Sequence, residues 1–321
     1  MAAARTVVRP LERGDFDSLH RLYGALAARI PYQPAVSAEQ FEEHLTISSS
    51  VQPAGAFHPE AEIALVALQE GRPVAYANGC LVVGEDARWA RPGQGFIRLV
   101  LADRNHEEAA RAVIGAVVAH LRGFGPECIK AFDVFFGPVF YGTGGVGTLY
   151  PAWSWLGYWL GLEGFVPCVR KHRLQRLLVG DHWAPKPLPL PEGFSFRPWA
   201  DPRTGRFKAS CEFSFTLNDG NGVAVGRCTN YYGEEWVRGA GKGYAFTFGL
   251  GVDPPHQGKG YGRLLLRQAQ VVAHTAGAEM ALLTTDCDNF RAIALYSAEQ
   301  YDVVDTSWSF ELSGQSPNYT S

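Results

Sequence analysis

The sequence predicts an α/β protein of two similar halves, each a mixed, mostly antiparallel sheet flanked by helices. Three observations carry that reading. β-rich runs and amphipathic helical stretches alternate along the chain, an order that packs helices onto the faces of a sheet. The pattern of the first half recurs, with one gap, in the second. Between them, Pro185, Pro187, Pro189 and Pro191 are too dense for a helix or a central strand and mark an extended connector. At 321 residues the chain has the length for two cores. The expected organisation is a first domain over 1–178, a linker over 179–193, a second domain over 194–313 and a tail over 314–321.

The first half opens with a strand over Thr6–Arg9. Asp15 is then expected to cap a helix whose apolar face carries Phe16, Leu19, Leu22, Tyr23 and Leu26. A second helix covers Ala38–Leu45. Strands follow at Glu62–Gln69, Val74–Val83 and Gly95–Ala102, with Glu70-Gly71-Arg72-Pro73 turning between the first two. A long helix, His106–Leu121, leads to a strand over Ile129–Phe136. Tyr150–Leu178 reads as a helix, the turn Glu163-Gly164-Phe165 and a closing strand.

In the second half Phe194–Pro198 is a strand, and Phe207–Leu217 and Val223–Tyr231 flank the turn Asn218–Gly222. A strand over Tyr244–Val252, a helix over Gly260–Ala276 and a strand over Ala281–Asp286 come next. A helix over Asn289–Glu299 and a strand over Val303–Leu312 close the half. The two helices that follow the first strand of the first half have no counterpart here.

Composition narrows the partners. Hydrophobic residues make up 46%, charged residues 19%, and the net charge is −3, so there is no basic footprint for nucleic acid. The six cysteines are scattered without a C-x-x-C pair, which argues against zinc and for a reducing compartment. No signal peptide is read at the start, and the aromatic run Tyr150–Phe165 is short for a bilayer span and carries Glu163. The expectation is a cytoplasmic protein with no metal, no nucleic-acid partner and no membrane contact.

One segment carries chemistry. The strand ending at Val252 is broken by Asp253-Pro254-Pro255, and Gln257-Gly258-Lys259-Gly260-Tyr261-Gly262 opens the next helix. A helix start presents unpaired N–H groups and a partial positive charge, which suits a pyrophosphate. Glycines at 258, 260 and 262 let the backbone approach the phosphates, with Lys259 and Arg263 adding charge at the rim. Further on, Asn289 is placed to cap a helix, and Tyr296 lies about two turns along on the same face.

These residues resemble the GNAT (N-acetyltransferase) superfamily, whose signature is Gln/Arg-x-x-Gly-x-Gly/Ala after a strand with a Val-x-Pro-like ending. Gln257, Gly260 and Gly262 match the signature, and Val252 and Pro254 match the approach. The resemblance covers 194–312 well and 5–178 by pattern alone. It implies two tandem GNAT-like domains and an acetyl-CoA (or other acyl-CoA) cosubstrate held by Leu250, Val252, Gln257–Arg263 and Asn289. It further implies that Asn289 touches the pantetheine arm and that Tyr296 is the catalytic acid facing the thioester sulfur. The backbone N–H of Leu250 or Val252 is the oxyanion partner it suggests. Some relatives carry a Glu on the strand where this chain has Phe246. Phe246 and Phe248 are therefore expected as an apolar acceptor wall, and Glu212, Glu234, Glu235 and Asp286 are the candidate bases.

The implied activity is acetyl transfer from acetyl-CoA to a small-molecule or peptide amine, and a homodimer is compatible with it. The alternatives are a non-catalytic acyl-CoA sensor and an acyltransferase using a longer acyl-CoA or a hydroxyl acceptor. The first half reads as a degenerate copy. In place of the glycine loop it has Asp103-Arg104-Asn105-His106-Glu107-Glu108, where Asn105 and Glu108 form a capping-box pattern and the glutamates oppose a phosphate. Gly142–Gly147 fits G-x-G-x-x-G but lacks a βαβ setting, so it reads as a loop.

Overall fold

The computed structural model describes residues 5–30, 36–46, 57–84, 90–133, 147–178, 184–199, 210–233 and 243–313. In chain order the first elements are β1 (Thr6–Pro10), α1 (Phe16–Ala27), α2 (Ala38–Leu45), β2 (Ile63–Gln69), β3 (Arg72–Leu81) and β4 (Gln94–Ala102). Then come α3 (Glu107–Arg122), β5 (Cys128–Ala131), α4 (Ser154–Leu162) and β6 (Val166–Leu177). The second half supplies β7 (Ser195–Pro198), β8 (Ser210–Glu212), β9 (Phe215–Asn218), β10 (Ala224–Gly233) and β11 (Tyr244–Val252). It ends with α5 (Tyr261–Thr275), β12 (Met280–Asp286), α6 (Phe290–Ala298) and β13 (Asp302–Ser313).

The compact units do not coincide with the two halves of the sequence. One contains Val36–Arg170 and Ser307–Ser321, together with β1 and α1; the other contains Lys171–Thr306. The boundary expected at 178 therefore moves into β6, and a second boundary falls inside β13. Lys171–Leu177 of β6 pairs antiparallel with β12, and Phe310–Ser313 of β13 pairs antiparallel with β5. Each unit takes its closing strand from the other half of the chain. Periodicity shows that a strand exists, but not which neighbour accepts its hydrogen bonds.

In the first unit the sheet order is β1-β2-β3-β4-β5 followed by β13, antiparallel except for β4 beside β5. The two-residue turn between β2 and β3 is Glu70-Gly71, both with positive φ (51° and 76°), the geometry that matches strand twist in a hairpin. Leu19, Tyr23 and Leu26 of α1, Val113, Ile114 and Val117 of α3, and Trp153 pack on the sheet in one buried core. Asp15 precedes α1 but does not cap it. Its carboxylate instead accepts from the Glu12 N–H and, through both oxygens, from Arg9 at 2.7 and 2.8 Å. The fork geometry of the guanidinium wins over the helix end.

In the second unit the order is β6-β12-β11-β10-β9-β7, with β8 on β10 and only β11 parallel to β12. The single strand expected over Phe207–Leu217 is two, β8 and β9, separated at Phe213-Ser214. Leu266 and Ala273 of α5 and Tyr296 of α6 share a buried cluster with Ala245, Leu283 and Leu174, so both helices cover one face of this sheet.

Candidate active site

The second unit opens within its own sheet. β11 and β12 run in register from Tyr244↔Met280 to Thr247↔Leu283 and then part. Beyond that point β11 stays with β10 as far as Val252, while β12 stays with β6 as far as Asp286. At the parting, Thr229 opposes Gly249 and Asn230 opposes Thr247, so Phe248 is the extra residue of a bulge. Buried Asn230 fixes the bulge by accepting from Thr247 Oγ1 at 2.8 Å. The Asp253 N–H donates to the Val225 carbonyl at 3.0 Å. Strand alternation therefore turns the N–H groups of Leu250 and Val252 toward the opposite edge, where the strands part.

The glycine segment sits at the end of this opening. Gln257 Nε2 donates to the Val252 carbonyl at 3.0 Å, tying the motif to the strand end. Gly258 (φ 78°) and Gly260 (φ 84°) are both left-handed, and a Cβ on either would meet nothing within 4 Å. Gly260 is the N-cap of α5 and brings no side chain to its first N–H groups. Gly262 lies beside α6, where a Cβ would meet Leu295 at 3.4 Å, an ordinary packing distance. Lys259 is exposed, and the Tyr261 ring stands 5.1 Å from that of Phe194.

Gly226 of β10 sets how closely α5 docks. A Cβ there would lie 2.8 Å from the Gly251 carbonyl oxygen and 2.9 Å from Leu265. Gly226→Ala is expected to cost roughly 1–3 kcal/mol of stability by overpacking, read as a lowered denaturant midpoint. An unchanged midpoint would contradict the close approach.

Asn289 accepts from the Ala292 N–H at 3.3 Å and so caps α6. Tyr296, two turns on, is 7% exposed and belongs to the core that Leu250 packs against. Burial pushes its phenol up to about 12. Burial likewise raises the phenols of Tyr76 and Tyr301 and holds the Cys80 and Cys228 thiols at about 12. These folded-state values lie above ordinary ones near ~10 for tyrosine and ~8.5 for cysteine. Their contribution to stability is whole below the ordinary values and is lost as pH rises toward 12. The urea midpoint is therefore expected to fall steeply from about pH 9 upward, and a flat profile to pH 11.5 would disprove the assignment.

Residues 178–300 match the acetyltransferase (GNAT) family. Over this stretch the chain is similar to GNAT domains. The whole fold is similar to a tandem GNAT protein from the clavulanic acid biosynthesis pathway, at 15% identity and a TM-score of 0.69, covering 98% of this chain and 100% of that one. It is also similar to a GCN5-related N-acetyltransferase from Sphaerobacter thermophilus, at 14% identity and a TM-score of 0.62, covering 97% and 96%. No curated protein matches the sequence. The chain thus has the fold of tandem GNAT proteins.

Within the matched stretch, several sequence candidates have partners of their own or are buried. Arg263 does not point its charge only at the rim, since its Nε donates to Glu299 Oε1 at 2.5 Å. Asp286 is bound by Lys171 Nζ at 2.8 Å, its register partner on β6. Phe246 is 1% exposed, so of the two expected wall residues only Phe248 keeps open surface; its ring lies 5.9 Å from that of Tyr231. The backbone of Glu212 pairs with Tyr231, but its side chain lies outside the described residues, as do Glu234 and Glu235. Asn230, Gly226 and Glu299 were not singled out in the sequence. Each acts through strand register or helix packing, which residue spacing does not display. Among the described residues, no His/Cys/Asp/Glu group could hold a metal ion, and no helix is long and apolar enough to cross a membrane.

In the first unit the matching part of β4 is sealed. Its parallel pairing stops at Ile97↔Ala131, and Arg98 occupies the bulge between Asn78↔Leu99 and Gly79↔Ile97. Yet β4 is buried from Gly95 to Ala102, whereas β11 is partly exposed from Phe248 onward. The Phe132 N–H donates to the Ile97 carbonyl at 3.3 Å, and Trp155 Nε1 donates to that of Ala102 at 3.0 Å. At the start of α3 the expected Asn105–Glu108 capping box is absent. His106 is the N-cap and makes no side-chain cap, while the Asn105 backbone and side-chain amides both bind Asp103 Oδ1. An Asx turn one residue earlier claimed the asparagine. Residues 142–146 of the other glycine run lie outside the described residues.

Proposed function

We propose that the second unit is an acyl-CoA-dependent N-acetyltransferase acting on a small-molecule or peptide amine. The observation that carries this reading is the open parting of β11 and β12, which ends at a helix N-terminus led by two left-handed glycines. Polar backbone along one wall and an uncapped helix start fit a pantetheine arm and a pyrophosphate. Acetyl-CoA supplies the activated acyl group as a thioester. The N–H groups of Gly260–Gly262 hold the pyrophosphate, and Gln257 keeps the strand end in place. The N–H groups of Leu250 and Val252 orient the arm and meet charge developing on the carbonyl oxygen. Tyr296, protonated at neutral pH, gives its phenolic proton to the departing thiolate. The amine proton leaves to water or to one of the carboxylates Glu212, Glu234, Glu235 and Asp286, the last of them paired with Lys171.

The sealed β4 of the first unit supports a scaffold role for it, with one acyl-CoA bound per chain. Calorimetric titration of the full chain with acetyl-CoA tests both statements. One equivalent is expected; two equivalents would reject the scaffold role, and no binding would reject the transferase. Truncation at residue 178 is unsuitable as a test because it removes Lys171–Leu177, a strand of the second unit's own sheet.

A further inference from the structure

Behind the glycine loop lies a charge cluster around a buried carboxylate that the acyl-transfer reading leaves unused. Glu299, the residue after α6, has a fully buried carboxylate. Its Oε1 accepts from Arg263 Nε at 2.5 Å and its Oε2 from Arg267 Nε at 2.7 Å. Arg176 Nη1 of β6 stands 3.6 Å from Oε2 and donates to Gln270 Oε1 at 2.5 Å. Three arginines thus converge on one carboxylate. Arg263 and Arg267 belong to the first two turns of α5, the helix that starts at Gly260. Glu299 belongs to the turn that closes α6, where its N–H donates to the carbonyls of Leu295 and Tyr296 at 3.1 and 3.0 Å. Gln300 (φ 65°) then lets the Tyr301 N–H return to the Tyr296 carbonyl at 2.9 Å.

A buried ion cluster of this kind is a poor source of net stability, because desolvation offsets the attraction. What it does supply is fixed geometry: a carboxylate with both oxygens committed to forked donors allows little sliding. The first unit shows what packing alone requires. There Glu163, the residue after α4, meets Arg111 of α3 at 3.0 Å, and both side chains remain partly exposed, 26% and 41%. The unit with the glycine loop instead has a fully buried carboxylate met by three arginines, Arg176 and Arg267 largely buried and Arg263 half exposed.

We propose that Glu299 is a positioning residue that clamps the N-terminal turns of α5 to the turn carrying Tyr296, setting the loop and the phenol in mutual register. The proposal rests on the acyl-CoA reading of this site. Its test is calorimetric binding of CoA to wild type, Glu299→Gln, Arg267→Lys and Glu163→Gln, on samples shown to be fully folded by circular dichroism at the titration temperature. Glu299→Gln is expected to weaken CoA binding at least tenfold. Arg267→Lys, which keeps the charge but loses the fork, is expected to weaken it at least threefold, and it stands alone if Glu299→Gln does not fold. Glu163→Gln is expected to bind as wild type. A merely structural clamp would lower the melting temperature yet leave the affinity of folded protein unchanged. Wild-type affinity in folded Glu299→Gln or in Arg267→Lys therefore overturns the proposal. Failure of wild type itself to bind CoA would instead overturn the reading on which it rests.

Discussion

Gly260→Asp is expected to abolish measurable CoA binding while leaving the protein folded. Gly260 has φ 84° and open space where a Cβ would stand, so the substitution meets backbone strain but no collision. A non-glycine residue in the left-handed region costs roughly 1–2 kcal/mol, and Asp is among those that visit it most readily. The melting temperature should fall by a few degrees only. Binding suffers far more. A carboxylate about 4 Å from a phosphate charge costs about 4 kcal/mol at the effective dielectric of a protein surface, close to a thousandfold in affinity. Gly260→Asn separates the terms, because it has the same shape and similar backbone tolerance without the charge. It should bind CoA no more than about tenfold more weakly than wild type, within the ~1.4 kcal/mol that strain accounts for. If the Asp variant bound CoA within threefold of wild type, the pyrophosphate would not sit at the start of α5.

Much of the second unit was legible in the sequence, for a physical reason. The Tyr244–Val252 strand, the glycine-led helix and the Asn289-capped helix are local features. β-rich composition, left-handed glycine positions and side-chain capping act over a few residues, and the structure places all three where the spacing puts them. The parting of β11 and β12 was not legible, because it is a property of pairing between strands. Neither was the bulge at Phe248, which depends on Asn230 of the neighbouring strand reaching Thr247. The same distinction explains the domain boundary. The chain shows a closing strand at the end of each half, but the choice of partner across the sheet is made in three dimensions. Arg263 illustrates the limit for side chains. An arginine beside a glycine loop suggests phosphate contact, and only folding reveals Glu299 buried within reach of it. The sealing of the first unit was half legible. The missing glycines were visible, whereas the indole of Trp155 reaching the Ala102 carbonyl was not.

Tyr296→Phe is the decisive test of the chemistry, because it removes one oxygen and almost nothing else. The ring lies in the core against Tyr301, with centroids 6.0 Å apart, and Leu250 packs on the same cluster. Phenylalanine fills that volume, so stability and CoA affinity should stay within about twofold of wild type, ~0.4 kcal/mol. The turnover should not. General-acid assistance is typically worth ~10²–10⁴-fold, and the variant is expected to release CoA thiol from acetyl-CoA and an amine acceptor at least a hundredfold more slowly, a barrier rise of about 2.7 kcal/mol. Burial holds the Tyr296 proton to about 12, which gives the pH profile a definite form. The wild-type rate should show no loss from tyrosine ionisation below pH 11, and any basic limb seen near pH 8–10 must belong to the amine or another group. A phenol of such high pKa is a weak acid in the ground state and becomes useful only where a thiolate is forming beside it, so its loss should appear in kcat and leave KM for acetyl-CoA unchanged. Equal kcat in both proteins across pH 6–10 would show that Tyr296 only packs, and that the thiolate leaves without a protein acid.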